Sequence, residues 1–113
     1  MKPLLKSAFD RELQLATTAA LAGDHAGSWR HLERAHILSQ AYAWPHVWVH
    51  ARMLVAAWRR RDVREIGGQL ARVLVAAPGS WLGRAPLGNT GGADVGILTP
   101  MPIPEDLQRL LDG

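Results

Sequence analysis

Four of the five histidines in this sequence lie within residues 31–50, HLERAHILSQAYAWPHVWVH. This segment contains a Glu-x-x-His pair, Glu33 and His36, and a His-x-x-x-His pair, His46 and His50. Side chains three or four residues apart lie on the same face of a helix. Carboxylate and imidazole groups gathered on neighbouring helices suit zinc, iron or manganese. The spacing therefore suggests a transition-metal site, although it does not identify the metal.

The periodicity of the apolar residues predicts the helices that would position these groups. Four long helices are expected at about residues 4–22, 24–42, 45–60 and 62–77, with a short one at residues 105–111. Gly23 ends the first helix, Asp24 can cap the second, Pro45 begins the third and Asp62 can cap the fourth. Consecutive helices joined by short turns pack antiparallel. These features predict an all-α fold, a four-helix up-and-down bundle of two helical hairpins.

The fourth helix and the residues after it have a different character from the first three helices. The inward seam of the fourth helix is predicted to consist of Val63, Ile66, Leu70, Val73 and Ala77. Pro78 and Gly79 are expected to end it, and glycine and proline remain frequent as far as residue 104. Because this segment is also apolar, residues 78–113 are predicted to wrap back over the helices, with GNTGG as a tight turn. Residues 1–113 are thus expected to form a single helical domain.

The predicted packing brings several ligand-type residues together. The second half of the second helix should lie beside the first half of the third, so that His36 approaches His50. Glu12 interrupts the apolar stripe of the first helix and points toward the same interior. Glu33, His36 and His50 are therefore the best candidate ligands, followed by His46 and Glu12. An open ligand position would allow a bound water to be activated for hydrolytic or redox chemistry, but no catalytic residue is predicted.

A structural role explains the same residues equally well. A buried glutamate needs a partner, and a histidine on the next helix would satisfy it and fix the packing register. The protein would then be a helix-hairpin interaction module that binds a protein partner or a second copy of itself through exposed Trp48 and Arg52. His25 and His31 are predicted to lie on the surface. The sequence leaves both hypotheses open, and it does not decide whether the protein is an enzyme.

Parts of the sequence resemble known arrangements. Glu12 followed by Glu33-x-x-His36 resembles half of a ferritin-like di-iron site, whose other half a homodimer would supply. The helical hairpins resemble tetratricopeptide repeats in geometry. In this order, the segments HLERAHILSQ, HVWVHARML, EIGGQLARV, GNTGG and PMPIPEDL resemble a small bacterial family built on a domain of unknown function. That last resemblance implies a short cytoplasmic bacterial protein and assigns no activity.

The composition excludes several classes of protein. There is no cysteine, which excludes disulfides, thiolate metal sites and cysteine nucleophiles. No apolar run approaches the roughly 18 residues of a membrane span, and no signal peptide is recognisable, so a cytoplasmic location is expected. The net charge of +3 is below that of most dedicated nucleic-acid-binding proteins. Neither a membrane nor a nucleic acid is therefore an expected partner.

Overall fold

The computed structural model describes residues 1–81, 89–93 and 99–113; for residues 75–81 it describes the backbone alone. All regular structure within these residues is helical, which confirms the all-α prediction. The helices are α1 (Pro3–Leu21), α2 (His25–Ser39), α3 (Ala43–Arg59), α4 (Val63–Trp81) and α5 (Glu105–Asp112). None of them, as far as the described residues extend, combines the length and the apolar character needed to cross a membrane.

Side-chain caps mark the starts of α2 and α4, and a glycine follows the end of α1. Asp24 Oδ1 accepts a hydrogen bond from the Gly27 backbone N–H at 2.9 Å and so caps α2. At the start of α4, Asp62 Oδ1 accepts the Glu65 N–H at 3.1 Å. Gly23 has a φ of 79°, a left-handed conformation that glycine adopts without steric strain, and α1 ends just before it. The predicted caps of α2 and α4 are therefore both present.

The end of α4 differs from the prediction. The helix runs to Trp81 rather than to residue 77, and it passes through Pro78 and Gly79. A proline removes only one backbone donor, and a helix can continue beyond it. The loss of one hydrogen bond near the end of a helix is therefore not enough to stop α4 at the predicted position.

The buried face of α4 also differs from the predicted apolar seam. Val63 and Leu70 are 80% and 52% exposed, whereas the polar residues Gln69 and Arg72 are buried. Ile66 and Val73 of the predicted seam are half-buried, and the side chain of Ala77 lies outside the described residues, so the buried face is rotated from the predicted seam toward Gln69 and Arg72. Gln69 is buried against a histidine of α3, and an apolar side chain could not satisfy that partner.

The long helices pack against one another in chain order, and α1 and α2 run antiparallel. Near the end of α1, the Ala16 carbonyl accepts a hydrogen bond from Ser28 Oγ at 2.7 Å. Near its beginning, Leu5 packs in one cluster with Ile37 and Leu38 from the end of α2. The main core lies between α1, α2 and α3 and consists of Phe9, Leu13, Ala16, Leu32, Ala35, Val49 and Met53. This core holds the facing surfaces of α2 and α3 in register.

The described parts of the C-terminal segment lie against the helices. The Asn89 carbonyl contacts a histidine of α2, and a β-carbon added to Gly68 of α4 would overlap Ala93. Leu107 of α5 is fully buried and packs with residues of α1 and α2. The rest of the predicted wrap, at residues 82–88 and 94–98, lies outside the described residues. Residues 89–93 thus reach the same helix faces that carry the histidines.

Candidate metal centre

Three buried histidines converge between α2 and α3, and we refer to them as the histidine triad. His36 lies in the second half of α2, and His46 and His50 lie one turn apart in the first half of α3. Their Nε2 atoms are separated by 2.9 Å (His36–His46), 3.0 Å (His36–His50) and 3.2 Å (His46–His50). None of the three is more than 6% exposed. Three potential ligand atoms therefore form a compact, sheltered triangle.

The outer nitrogen of His36 is fixed by the backbone. His36 Nδ1 lies 2.7 Å from the carbonyl oxygen of Asn89, which can only accept a hydrogen bond. The Nδ1 atom therefore carries the proton in the neutral ring, and the Nε2 atom directs a lone pair into the triad. This is the tautomer that a metal ligand requires at Nε2.

The same tautomer is fixed in His50 by Gln69. The two atoms His50 Nδ1 and Gln69 Oε1 are 2.7 Å apart. The orientation of the amide is determined because Gln69 Nε2 donates to Gly91 O at 2.7 Å and to Glu65 Oε2 at 2.9 Å, both of which are acceptors. Gln69 Oε1 must therefore face His50 and accept its Nδ1 proton. The Nε2 lone pair of His50 consequently also points into the triad.

Burial keeps these rings neutral. Desolvation lowers the pKa of His36 well below its usual value, and the neighbouring His50 and His46 lower it further, although the bond to Asn89 acts in the opposite direction. Desolvation is also the main reason that the pKa of His50 falls to about 4; the bond to Gln69 raises it and the charge of Arg72 lowers it. At neutral pH, His36 and His50 therefore present unprotonated Nε2 atoms to each other.

This arrangement favours a cation at the centre of the triad. Two lone pairs that face each other at 3.0 Å repel, and a single proton on His46 Nε2 would not relieve the contact between His36 and His50. Zinc–nitrogen bonds of about 2.0–2.1 Å in a tetrahedral site place the nitrogens about 3.3 Å apart. The observed triangle would need to widen only slightly to reach that geometry. A bound metal ion would thus replace the repulsive contact between His36 and His50 with two ligand bonds, and His46 Nε2 would supply a third.

Residues 89–93, which belong to the GNTGG turn and the alanine after it, close one side of the triad. Gly91 has a φ of 87°, and a β-carbon there would lie 2.7–2.9 Å from atoms of the His36 ring. Its N–H donates to Asn89 Oδ1 at 2.8 Å, while the Ala93 N–H donates to Glu65 Oε2 at 2.8 Å. The segment can therefore lie flat on His36 only because position 91 has no side chain.

The carboxylates predicted as ligands are placed differently. Glu12 is buried, as its position in the apolar stripe predicts, but its Oε2 is 2.7 Å from His31 Nδ1 and its Oε1 accepts from Arg34 Nε at 2.9 Å. Arg34 also donates to Asp106 of α5. Glu33 is partly buried and does not belong to the group of ligand atoms that lie within 4.8 Å of one another. In the described part of the chain that group consists of the three triad histidines.

The ferritin-like half-site is therefore not assembled, because Glu12 is bound by α2 side chains outside the triad. His31, predicted to lie on the surface, is instead partly buried beside Glu12. His31 and Arg34 are three residues apart on α2, a spacing that would have identified them as joint partners of an inward-facing carboxylate. Of the five predicted ligands, the structure brings together the three histidines.

Three residues that contact the triad were not predicted from the sequence. They are Gln69, Asn89 and Gly91. The pairing of Gln69 with Glu65 at a spacing of four residues is a recognisable signal for a polar patch on α4. The backbone carbonyl of Asn89 contacts His36, which lies 53 positions away in the sequence. Any residue type has such a carbonyl, so the sequence does not predict this contact. In the sequence, the glycines of GNTGG were the signal that this segment lies close to another part of the protein.

Comparison with known proteins adds one finding. The profile of a family described as "Protein of unknown function (DUF3703)" matches residues 3–111, which include the triad and all of its contacts described above. No curated protein and no solved structure matches the chain.

Proposed function

This chain belongs to the DUF3703 family of unknown function, and we propose that it binds one transition-metal ion per chain through the Nε2 atoms of His36, His46 and His50. One observation carries the proposal: three buried Nε2 atoms lie 2.9–3.2 Å apart, while His36 and His50 give their Nδ1 protons to acceptors outside the triad. Metal-binding histidines usually donate their other ring N–H to such an acceptor, which fixes the tautomer and the ring orientation.

Zinc is the metal that suits this ligand set best. The three ligands are neutral imidazoles, which zinc accepts readily, whereas manganese prefers oxygen ligands and non-haem iron sites normally include a carboxylate. The proposal therefore retains the histidines predicted from the sequence and omits Glu12 and Glu33. Three protein ligands leave a fourth zinc position for water or another small ligand.

Metal analysis of the protein produced without a histidine tag tests the proposal. We expect close to one equivalent of bound metal, and we expect chelator-treated protein to take up one equivalent of Zn²⁺ in a calorimetric titration. His46→Gln and His50→Gln should each lose stoichiometric binding because two imidazoles hold zinc much less tightly than three. His25→Gln, which changes an exposed histidine outside the triad, is the matched control and should bind as the wild type does.

Thermal unfolding distinguishes the metal site from the alternative structural role. Zinc at about 1,000 times its dissociation constant should stabilise the native state by about 4 kcal/mol. No bound metal, no stabilisation by zinc and unfolding of the triad variants would together contradict the proposal. The histidines would then serve only to hold α2 and α3 in register.

A second candidate function, self-association, is supported by an exposed stripe on α3. At about 100° per residue, four large apolar side chains fall on one side of the helix. They are Trp44, Trp48, Val55 and Trp58, exposed by 68%, 55%, 48% and 70%. Contiguous exposed apolar side chains mark association surfaces, and tryptophan is enriched in the residues that dominate binding energy. We propose a second copy of the chain as the occupant, in keeping with the homodimer suggested by the sequence.

Sedimentation analysis over a range of protein concentrations tests this second candidate. A dimer is expected for the wild type and a monomer for the Trp48→Gln, Trp58→Gln double variant, whose bound metal should not change. Leu4→Gln and Leu21→Gln on α1, also at exposed positions, provide matched controls. A wild-type protein that stays monomeric throughout would contradict self-association and leave the metal proposal unaffected.

We also propose that α1–α4 form an up-and-down bundle of two hairpins with tetratricopeptide-like geometry. The antiparallel contacts between α1 and α2 and the packing of the helices in chain order support this arrangement. An experimental structure in which α3 and α4 ran parallel would contradict it.

A further inference from the structure

A cleft opens at the end of the bundle opposite the histidine triad. It has a volume of about 170 Å³ and lies between the end of α1, the first half of α2 and the second half of α3. Its apolar lining includes Ala20, Trp29, Leu32 and Ala56. Apolar cavities of about 150 Å³ bind molecules such as benzene. The cleft therefore has room for a compact apolar group about the size of one aromatic ring.

The charges around this cleft all have the same sign. Arg52, Arg59 and Arg60 line it, and among the described residues that line it there is no aspartate or glutamate. Arg52 is held in place because its Nη2 donates to Thr17 Oγ1 at 2.7 Å and to Leu13 O at 3.3 Å. Burial lowers the pKa of Arg52, and the charge of Arg59 lowers it further. The two guanidinium groups are thus close enough to repel.

Helix capping explains only part of this concentration of arginines. A cation near the C-terminus of a helix interacts favourably with the last carbonyl groups, which accounts for Arg59 and Arg60 at the end of α3. Arg52 lies in the middle of the same helix, where its bonds to Thr17 and Leu13 join α3 to α1 and place its guanidinium group at the cleft. Helix capping does not explain why the apolar lining of the cleft lies beside the three arginines. An anion with an apolar body would use both features at once.

We propose that this cleft binds a small organic carboxylate whose apolar body rests against Trp29 and Leu32 and whose carboxylate meets the three arginines. The planar guanidinium group matches a carboxylate with two parallel hydrogen bonds, which makes arginine well suited to this recognition. Arg52 is already oriented by its bonds to α1, so it loses little conformational freedom on binding. The site is distinct from the histidine triad and does not depend on bound metal.

Calorimetric titration of the full chain with benzoate, benzyl alcohol and inorganic phosphate tests the proposal. Benzoate has both the ring and the carboxylate, whereas the other two probes each lack one of them. We expect one benzoate per chain, and binding of benzyl alcohol and of phosphate that is at least tenfold weaker. Competition between benzoate and phosphate would show that both anions use the same arginines.

Two variants identify the site. Arg59→Gln with Arg60→Gln should weaken benzoate binding roughly five- to tenfold, since each removes a partly solvated charge contact. Arg11→Gln with Arg64→Gln removes the same charge from exposed positions outside the cleft and should leave binding unchanged. Ala20→Leu places a larger side chain on the apolar lining and should also weaken binding.

The following results would overturn the proposal: no benzoate binding, equal affinity for benzoate and benzyl alcohol, or unchanged benzoate binding in the Arg59, Arg60 double variant. Because Arg59 and Arg60 are exposed, that variant is expected to retain the wild-type circular dichroism spectrum, and the loss of two cations at the end of α3 should lower its melting temperature only slightly. Its binding data can then be interpreted directly.

Discussion

Gln69 connects His50 of the histidine triad to α4 and to residues 89–93. It is fully buried, and its amide group makes hydrogen bonds to His50, Glu65 and Gly91. An unsatisfied buried amide would be costly, and here both N–H donors and the carbonyl oxygen have a hydrogen-bond partner. Gln69 thus fixes the His50 tautomer and attaches α4 and residues 89–93 to the same point.

Gln69→Leu should weaken zinc binding about 10- to 100-fold, the usual effect of removing a hydrogen-bond partner of a metal-binding histidine. Leucine is similar in size but cannot accept the Nδ1 proton of His50. Zinc affinity would be measured by competition with a chelating dye. Gln14→Leu on the exposed side of α1 is the control and should not change the affinity. Equal zinc affinity in Gln69→Leu and the wild type would show that Gln69 does not position a ligand.

Gly91→Ala should destabilise the protein by about 1–3 kcal/mol, because its left-handed backbone disfavours a side chain and the new methyl group would press on the His36 ring. The matched change is Gly67→Ala, where nothing lies within 4 Å of the added carbon. That helical substitution should stabilise by about 0.5–1 kcal/mol. Urea denaturation would measure both changes in the free energy of unfolding. If both changed that free energy in the same direction, the close contact between Gly91 and His36 would be in doubt.

Among the helices, α1, α2 and α5 are joined by a chain of charged groups. Glu12 of α1 contacts His31 and Arg34 of α2, and Arg34 also binds Asp106 of α5. The Asp106 interaction is the main reason that the pKa of Arg34 is raised, and the same contact lowers the pKa of Asp106. This arrangement shows that the buried Glu12 has a clear role in helix packing.

Glu12→Gln should cost about 1–3 kcal/mol, because it removes the negative charge that faces Arg34 and His31 in a mostly buried position. Urea denaturation would measure the loss. Asp10→Asn breaks an exposed pair with Lys6 and should cost less than about 1 kcal/mol. Metal content provides the decisive comparison: if Glu12→Gln abolished zinc binding in a folded protein, Glu12 would have to be a ligand after all.

Sequence periodicity predicted these elements better than it predicted their contacts. The inward positions of Glu12, His36 and His50 followed from the spacing of apolar residues in α1, α2 and α3, and all three are buried. Periodicity gives the direction of a side chain but not which neighbour it meets, so Glu12 was assigned to the wrong group of partners. On α4 the buried face is rotated from the predicted seam, because it includes Gln69, the hydrogen-bond partner of His50, together with the half-buried Ile66 and Val73.

Over the whole molecule, α2 and α3 have two chemically different ends, separated by the apolar core. One end carries neutral imidazoles enclosed by α4 and residues 89–93, and the other carries the three arginines of the cleft. The end with the histidines suits a cation, and the end with the arginines suits an anion. The net charge of +3 does not reveal either preference. Long-range contacts made by backbone atoms, such as Asn89 with His36, are the part of this organisation that one sequence could not specify.

The stability of the metal-free protein should fall as the pH is lowered from about 6.5 toward 4. His50 titrates near 6.5 in an unfolded chain but at about 4 in the folded protein, where His36, His46, Gln69 and Arg72 surround it. Between these values the unfolded state binds more protons, so the free energy of unfolding decreases by up to about 1.4 kcal/mol per pH unit from His50 alone. Above about pH 6.5 this contribution is complete.

Urea denaturation of the metal-free protein near pH 7, 6 and 5 would measure this dependence. The depressed pKa of His36 should add to it in the same direction. His50→Gln should show a smaller pH dependence than the wild type because it removes one of the groups that titrate. A wild-type stability that did not change over this range would indicate that the triad histidines are not buried in neutral form.

If the triad binds zinc as proposed, the positions of its histidines along the chain determine when each ligand becomes available during folding. His46 and His50 need only one turn of α3 to face the same way, whereas the contact of His36 with Asn89 closes a loop across 53 positions. A nascent α3 can therefore offer two nitrogens to zinc long before the C-terminal residues arrive. Refolding monitored by stopped-flow fluorescence should then be faster when zinc is present from the start than when it is added after collapse, and equal rates would contradict an early role of the ion in folding.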